Sequence, residues 1–193
     1  MVKSYSNKIT SFLICNEIIK EKEYDLYLYA FETLIAFVIN IIVILVVGCI
    51  FDRFLETILF LAFYCPIRQF AGGYHAENYR RCLLVFISLY ICNIYFLNIL
   101  ILKELNSIII FLMIISYIGI YICAPLEHRY NPLSKKEIYN YKKIVMYLIS
   151  VVSLISIIGI NIDLIHDCSV YLASVIILIF IMIVFGLIKK SRE

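Results

Sequence analysis

Long apolar segments dominate this sequence and constrain what it can fold into. Crossing a bilayer as a helix takes about 20 mostly apolar residues, within a range of roughly 17–25. With 64% hydrophobic and 16% charged residues, the chain carries far fewer charges than the about 25% of soluble domains. The sequence therefore predicts an all-α polytopic membrane protein and excludes a water-soluble globule. Five segments clearly meet the length requirement: residues 33–50, 82–102, 107–124, 144–162 and 170–188.

A sixth apolar segment, residues 54–67, is short and contains Glu56, yet it determines the topology. Lysine and arginine concentrate in cytoplasmic loops. If this segment crosses and the N-terminus is cytoplasmic, every Lys and Arg except Arg53 and Lys103 lies on the cytoplasmic side. Omitting it would invert the later loops and place most basic residues outside. We therefore predict six transmembrane helices with both termini cytoplasmic, in a single integral membrane domain over residues 1–193.

The first thirty residues differ from the rest of the chain. Lysines alternate there with acidic residues, so no cleavable signal peptide is predicted. A partial apolar stripe predicts an amphipathic helix in the inner membrane interface over residues 1–30. An ordinary leader without a function of its own is the alternative. The stripe consists of Ile9, Phe12, Leu13, Ile18 and Ile19.

The seven cysteines form no CxxC pair, and the three histidines are far apart in sequence. This pattern argues against a zinc site, and an odd number of cysteines argues against a disulfide framework. No metal, organic cofactor or nucleic-acid partner is predicted.

Polar residues near the membrane are the informative ones in so apolar a chain. Between the second and third segments, Pro66 and the pair Gly72 and Gly73 are expected to interrupt the helix. His75 and Cys82 follow, and an imidazole and a thiol are the minimal set for a cysteine nucleophile with its base. Seven residues along an unbroken helix separate two groups by roughly 10 Å, so a direct pair requires a turn between them.

Asn78 is a plausible N-cap for the third membrane helix, which places Cys82 in its first turn. The positive end of the helix dipole, with Arg80 and Arg81 nearby, would favour the thiolate. Cys82 as an ordinary apolar residue and His75 as a solvated loop residue form the competing interpretation. Cys65 is a rival nucleophile that lacks the helix-start argument.

The arginines of this loop also have two interpretations. Basic residues at the inner membrane edge often serve as topology signals or contact anionic lipids. In the functional interpretation, Arg68 orients the site or binds a substrate carboxylate, and Arg80 and Arg81 attract an acidic peptide. Gly73 would help to orient the site through the turn.

A second polar loop follows the fourth segment. Pro125 is expected to end that span, and Ser134 with Glu137 is a capping-box pattern for a helix leading into the fifth. His128 could take part in catalysis, although a solvated loop histidine is the simpler interpretation.

These residues resemble the signature of the accessory gene regulator B (AgrB) family, membrane peptidases of Gram-positive quorum sensing. Arg68, the stretch Ala71-Gly72-Gly73-Tyr74-His75-Ala76 and Cys82 carry the first motif. The stretches Ala124-Pro125 and Asn131-Pro132-Leu133 resemble a second, weaker one. The similarity covers nearly the whole chain in length and span order.

The resemblance implies a function and partners. Cys82 would attack a peptide bond of an AgrD-type propeptide, with His75 as general base, and release its C-terminal tail. A cysteine or serine of the bound substrate would then close a thiolactone or lactone ring, giving an autoinducing peptide. The family further implies a homodimer in the bacterial cell membrane with its site facing the cytoplasm.

Two other functions are compatible with six spans. A small transporter or exporter of peptides would need no covalent chemistry, although charges buried in mid-membrane, which mark substrate pathways, are nearly absent. A sensor or scaffold subunit is the third possibility, but no attached signalling domain is visible.

Overall fold

The computed structural model describes residues 2–74, 79–126 and 133–191, with no side-chain description for Tyr79 and Arg80. Within these ranges the chain is helical and contains no β-strand, which confirms the predicted fold class. The chain divides into two compact units, residues 1–46 and 47–193.

The first unit contains helix α1, Val2–Cys15, and most of helix α2, Tyr24–Ile50. In α1 the buried residues are Ser6 and Thr10, and the Thr10 hydroxyl donates a 2.9 Å hydrogen bond to the Ser6 carbonyl. Phe12 of the predicted apolar stripe is 63% exposed. A helix therefore exists in the predicted leader, but its location in the membrane interface stays a prediction.

Helix α2 begins well before the predicted apolar span at residue 33. A single helical turn over Glu21–Glu23 leads directly into α2 at Tyr24. The added part carries Asp25 and several aromatic residues, which are compatible with a helix at headgroup depth. Hydropathy therefore predicts which part of α2 lies in the membrane core, but it does not predict the residue at which the helix begins.

The second unit contains five further helices arranged around the last one. Helix α7 is the central element and packs against the other four. It is apolar around its whole circumference, which is typical of a helix buried on all sides. The bounds are α3, Phe54–Ala71; α4, Tyr79–Leu102; α5, Asn106–Cys123; α6, Lys135–Gly159; and α7, His166–Lys190.

Six helices of the described chain are long and apolar enough to cross a membrane, which confirms the number of predicted spans. The protein is therefore a multi-pass membrane protein. The second span is longer than predicted, because α3 has 18 residues and includes Pro66.

The expectation that Pro66 interrupts this helix is wrong. Proline removes one backbone N–H, so the carbonyl of Ala62 loses its helical partner. Membrane helices tolerate this loss when their surroundings satisfy the freed group. The helix ends instead at Gly72, whose φ of 71° takes the backbone out of the helical region.

The predicted capping box at the start of α6 is confirmed. The backbone N–H of Ser134 donates to Glu137 Oε2 at 2.8 Å, and the N–H of Glu137 donates to Ser134 Oγ at 3.3 Å. These reciprocal bonds satisfy two of the free N–H groups at the helix start. They fix where α6 begins after the second polar loop.

Candidate active site

The turn that follows α3 is held tightly against α7. Gly72 and Gly73 have φ values of 71° and 127°, which residues with a side chain rarely adopt. Immediately after them, the backbone N–H of Tyr74 donates a 2.8 Å hydrogen bond to the carbonyl of Met182. The direction in which the chain leaves α3 toward residue 75 is therefore fixed by α7.

The segment after α5 closes the other side of this turn. The backbone N–H of Leu126 donates a 2.9 Å hydrogen bond to the Ala71 carbonyl, and Leu126 forms a parallel bridge with Gly72. A Cβ on Gly186 of α7 would approach the backbone of Gly73 to 2.9 Å. The glycine at position 186 thus allows the turn to lie directly on α7.

Arg68 lies one helical turn before the glycine turn and its guanidinium folds over it. Nη2 donates a 2.7 Å hydrogen bond to the Tyr74 carbonyl. Nη1 is buried and has no acceptor among the described residues. It occupies the position in which a Cβ of residue 73 would lie, so only glycine at position 73 permits this placement of the guanidinium.

Cys82 is the fourth residue of α4 and therefore lies in its first turn, as predicted. Its side chain is half-buried. Phe86 lies one helical turn further on the same face, and its ring stacks on that of Tyr64 with centroids 5.0 Å apart. The phenol oxygen of Tyr64 interacts electrostatically with both the Arg68 guanidinium and the Cys82 thiol.

The structure thus brings Arg68 and Gly73 together at the end of α3. Cys82 lies in the first turn of α4, one turn before Phe86, which packs on Tyr64 of α3. Arg81 is exposed. The predicted base His75, the predicted N-cap Asn78, the side chain of Arg80 and His128 lie outside the described residues.

Cys65, the rival nucleophile, lies in the last part of α3, is half-buried and also interacts with the Tyr64 hydroxyl. Proximity to Tyr64 therefore does not decide which of the two thiols is the better candidate for the nucleophile. Their positions do, since Cys65 lies inside α3 and Cys82 lies in the first turn of α4.

Tyr64 was not identified from the sequence. It is 4% exposed and carries a hydroxyl into an otherwise apolar contact between α3 and α4. The available signal was its spacing, because residue 64 lies four positions before Arg68 and so on the same face of α3. The chain has sixteen tyrosines, and the sequence alone gives no other feature that distinguishes this one.

Comparison with known proteins gives consistent similarities. A family model described as Accessory gene regulator B matches residues 6–188. AgrB-like protein 2 of Clostridium perfringens (strain 13 / Type A) is 27% identical over 137 residues, which cover 66% of this chain and 64% of that protein. An AgrB-like protein of Clostridium perfringens (strain SM101 / Type A) is 28% identical over 137 residues, with the same coverage.

A third relative, AgrB-like protein 1 of Clostridium perfringens (strain 13 / Type A), is 30% identical over 129 residues, or 66% of this chain and 65% of that protein. The chain therefore spans just under two thirds of the length of the curated relatives it matches. No solved structure is significantly similar to it.

Proposed function

Because the chain belongs to the accessory gene regulator B family, we propose that it is a membrane cysteine endopeptidase that cleaves and cyclises an AgrD-type propeptide. The product is an autoinducing thiolactone or lactone peptide for quorum sensing. Cys82 is the nucleophile and His75 is the general base.

The observation that carries this proposal is the placement of Cys82. A half-buried thiol in the first turn of α4 interacts with a buried hydroxyl that also interacts with an arginine. The same arginine binds the carbonyl of Tyr74, the residue before His75. The segment that leads to His75 is therefore bound by Arg68, which also interacts with the Tyr64 hydroxyl.

The first chemical step is acyl transfer to the enzyme. His75 takes the proton of the Cys82 thiol, and Sγ forms a bond to the carbonyl carbon of the scissile peptide. The carbon–nitrogen bond then breaks, and the imidazolium returns the proton to the leaving amine of the C-terminal tail. The upstream part of the propeptide remains on Cys82 as a thioester.

The second step is ring closure. Conversion of a peptide bond to a thioester is uphill, but exchange of one thioester for another is close to balanced. A cysteine of the bound substrate therefore displaces Cys82 and forms a thiolactone, and a serine would form a lactone. Water must be kept from the acyl-enzyme until this happens, and a site among apolar membrane helices suits that requirement.

The partners follow from the same proposal. The substrate is an AgrD-type propeptide, the surroundings are the bilayer of the bacterial cell, and the working unit is a homodimer. Both termini and the site face the cytoplasm, where the propeptide is synthesised. The exposed Arg81, together with its sequence neighbour Arg80, would attract an acidic segment of that peptide.

The test is tail release by purified protein in lipid nanodiscs, with the cognate propeptide as substrate. Cys82→Ala and His75→Ala should each abolish release, whereas Cys65→Ala, which removes the rival thiol, should retain it. Intact-mass measurement of the wild-type protein during turnover should detect the upstream peptide on Cys82. Normal release by Cys82→Ala at normal protein levels would overturn the assignment.

The same adduct separates this function from an exporter of peptides, which would form no covalent intermediate. An exporter would also release no tail. Transport of an intact propeptide across the membrane of sealed vesicles, without an adduct on Cys82, would therefore favour the exporter.

A further inference from the structure

Tyr64 lies one helical turn before Arg68 on α3, and its ring packs on Phe86, one helical turn beyond Cys82 on α4. Its phenol oxygen interacts with the Arg68 guanidinium on its own helix and with the Cys82 thiol on α4. The side chain is only 4% exposed. A buried hydroxyl in an apolar helix contact normally has a hydrogen-bond partner, and the ring that carries this one packs on Phe86, one helical turn from the proposed nucleophile.

A ladder of four aromatic rings fixes the position of this hydroxyl. Tyr64 stacks on Phe86 at 5.0 Å with an interplanar angle of 20°, and on Phe60 at 5.1 Å with an angle of 18°. Phe60 contacts Tyr90 at 4.9 Å. Because two rings belong to α3 and two to α4, the ladder sets the register of the two helices. The hydroxyl of Tyr64 is thus held in place by packing that does not depend on substrate.

Arg68 supplies a second donor beside it. Nη2 donates a 2.7 Å hydrogen bond to the Tyr74 carbonyl, but Nη1 is buried without an acceptor among the described residues. A buried donor of a charged group normally finds a partner. An acceptor with negative charge, brought by a substrate, would satisfy it.

We propose that Tyr64 is a further catalytic residue, whose hydroxyl donates a hydrogen bond to the oxyanion formed when Cys82 attacks a carbonyl group. Arg68, one helical turn further along α3, stabilises the same negative charge through its unpaired Nη1. This inference rests on the proposed acyl transfer at Cys82.

The step that the pair assists is formation of the tetrahedral intermediate. Sγ of Cys82 forms a bond to the carbonyl carbon, and the electron pair of the C=O double bond moves onto oxygen. When the intermediate collapses, this pair re-forms the double bond and the leaving group departs with its bonding electrons. Donors fixed where this charge develops stabilise the transition state more than the ground state.

Two small reagents test the inference without a propeptide, on the full-length protein in nanodiscs. p-Nitrophenyl acetate acetylates a thiol through an oxyanion and releases p-nitrophenolate, whereas iodoacetamide alkylates it by displacing iodide, without an oxyanion. Modification of Cys82 is followed for both reagents by peptide mass mapping. Tyr64→Phe should slow acetylation about tenfold or more and leave alkylation within about twofold of wild type, because only acetylation develops charge on oxygen.

Tyr90→Phe is the matched control. Tyr90 belongs to the same aromatic ladder and is fully buried, but it lies two turns from Cys82 along α4. Its hydroxyl donates to Thr57 of α3. This variant should react like wild type with both reagents. An equal loss of acetylation in Tyr64→Phe and Tyr90→Phe would assign the effect to ladder packing and overturn the proposal.

Two further results would also overturn it. Unchanged acetylation in Tyr64→Phe would show that the hydroxyl does not stabilise the oxyanion. Parallel losses of acetylation and alkylation would show that Tyr64 acts on the thiol itself. With the propeptide as substrate, the same variant should lower kcat about tenfold or more at nearly constant KM. Acetylation that depends on Tyr64 in a protein that releases no tail would refute the proposed function but not this inference.

Discussion

The guanidinium of Arg53 lies 2.6 Å from the carboxylate of Asp167 and joins the start of α3 to the start of α7. The same guanidinium contacts Glu56 at 3.1 Å. Partial burial acts to lower the pKa of Arg53, but hydrogen bonds to Asp167 and Glu56 outweigh it and raise that pKa. His166 extends the network to α5 through a 2.9 Å contact between Nε2 and Asn106 Oδ1.

Asp167→Asn should therefore destabilise the protein by about 1–2 kcal/mol, because it weakens a charge-assisted hydrogen bond whose partners are only 24% and 37% exposed. The residual contact with Glu56 keeps Arg53 from being left unpaired, which limits the loss. Thermal unfolding in detergent should show a lower Tm, by about 2–4 °C for each kcal/mol.

Asp163→Asn is the matched control for this prediction. Asp163 lies in the short turn just before α7, four residues before Asp167, and its side chain is exposed. Removing its charge should leave Tm unchanged. If both variants lower Tm equally, the general loss of negative charge, and not the contact with Arg53, is responsible.

Gly186→Ala tests whether the placement of the glycine turn on α7 matters for activity. A Cβ at this position would approach the Gly73 carbonyl carbon and the Tyr74 nitrogen to 2.9 Å each. These are backbone atoms, which cannot move aside cheaply, so the turn should shift and take the Arg68 guanidinium with it. We expect tail release to fall about tenfold or more, although residue 186 carries no reactive group.

Leu187→Ala provides the comparison for Gly186→Ala. Leu187 is the neighbouring residue on α7, and its side chain is 37% exposed. Tail release by this variant should remain close to wild type. Full activity of Gly186→Ala would show that the turn tolerates displacement from α7.

The sequence indicated the number of helices and the position of Cys82 because both depend on local patterns. Apolar length predicts spans, and a polar residue before an apolar run predicts a helix start, which placed Cys82 in the first turn of α4. The expectation at Pro66 was wrong, since the local penalty of a proline does not reveal that the surroundings of a membrane helix compensate for it. α3 ends at Ala71, five residues after Pro66, where Gly72 follows.

The contacts of Arg68 could not be derived in the same way. Its interaction with the Tyr74 carbonyl depends on the left-handed turn at Gly72 and Gly73, which the glycines permit but do not specify. The turn is fixed by Met182 of α7, more than a hundred residues away in sequence. The position of Tyr64 near the candidate site could not be predicted for the same reason, because its partner Phe86 belongs to another helix.

The capping box gives a prediction for the loop that precedes α6. Ser134→Ala removes the side chain that accepts from the backbone N–H of Glu137, and loss of such a cap costs about 0.5–2 kcal/mol. Hydrogen exchange should become faster in the first turn of α6, at Lys135 to Ile138, with little change in later turns. Ser134→Asp keeps an acceptor at the cap and should restore protection, while equal exchange in the two variants would exclude the cap as the cause.

The proposed orientation in the membrane predicts opposite labelling of two lysine positions. Lys103, in the loop after α4, and Lys136, in the first turn of α6, are both exposed. If basic residues concentrate inside, Lys103 lies on the outer side and Lys136 on the cytoplasmic side. In a variant without native cysteines, Lys103→Cys should react with a membrane-impermeant maleimide in intact cells. Lys136→Cys should react only after the cells are permeabilised. The reverse pattern would place the glycine turn and Cys82 outside the cell, where a newly made propeptide does not meet them, and the proposed substrate would have to be abandoned.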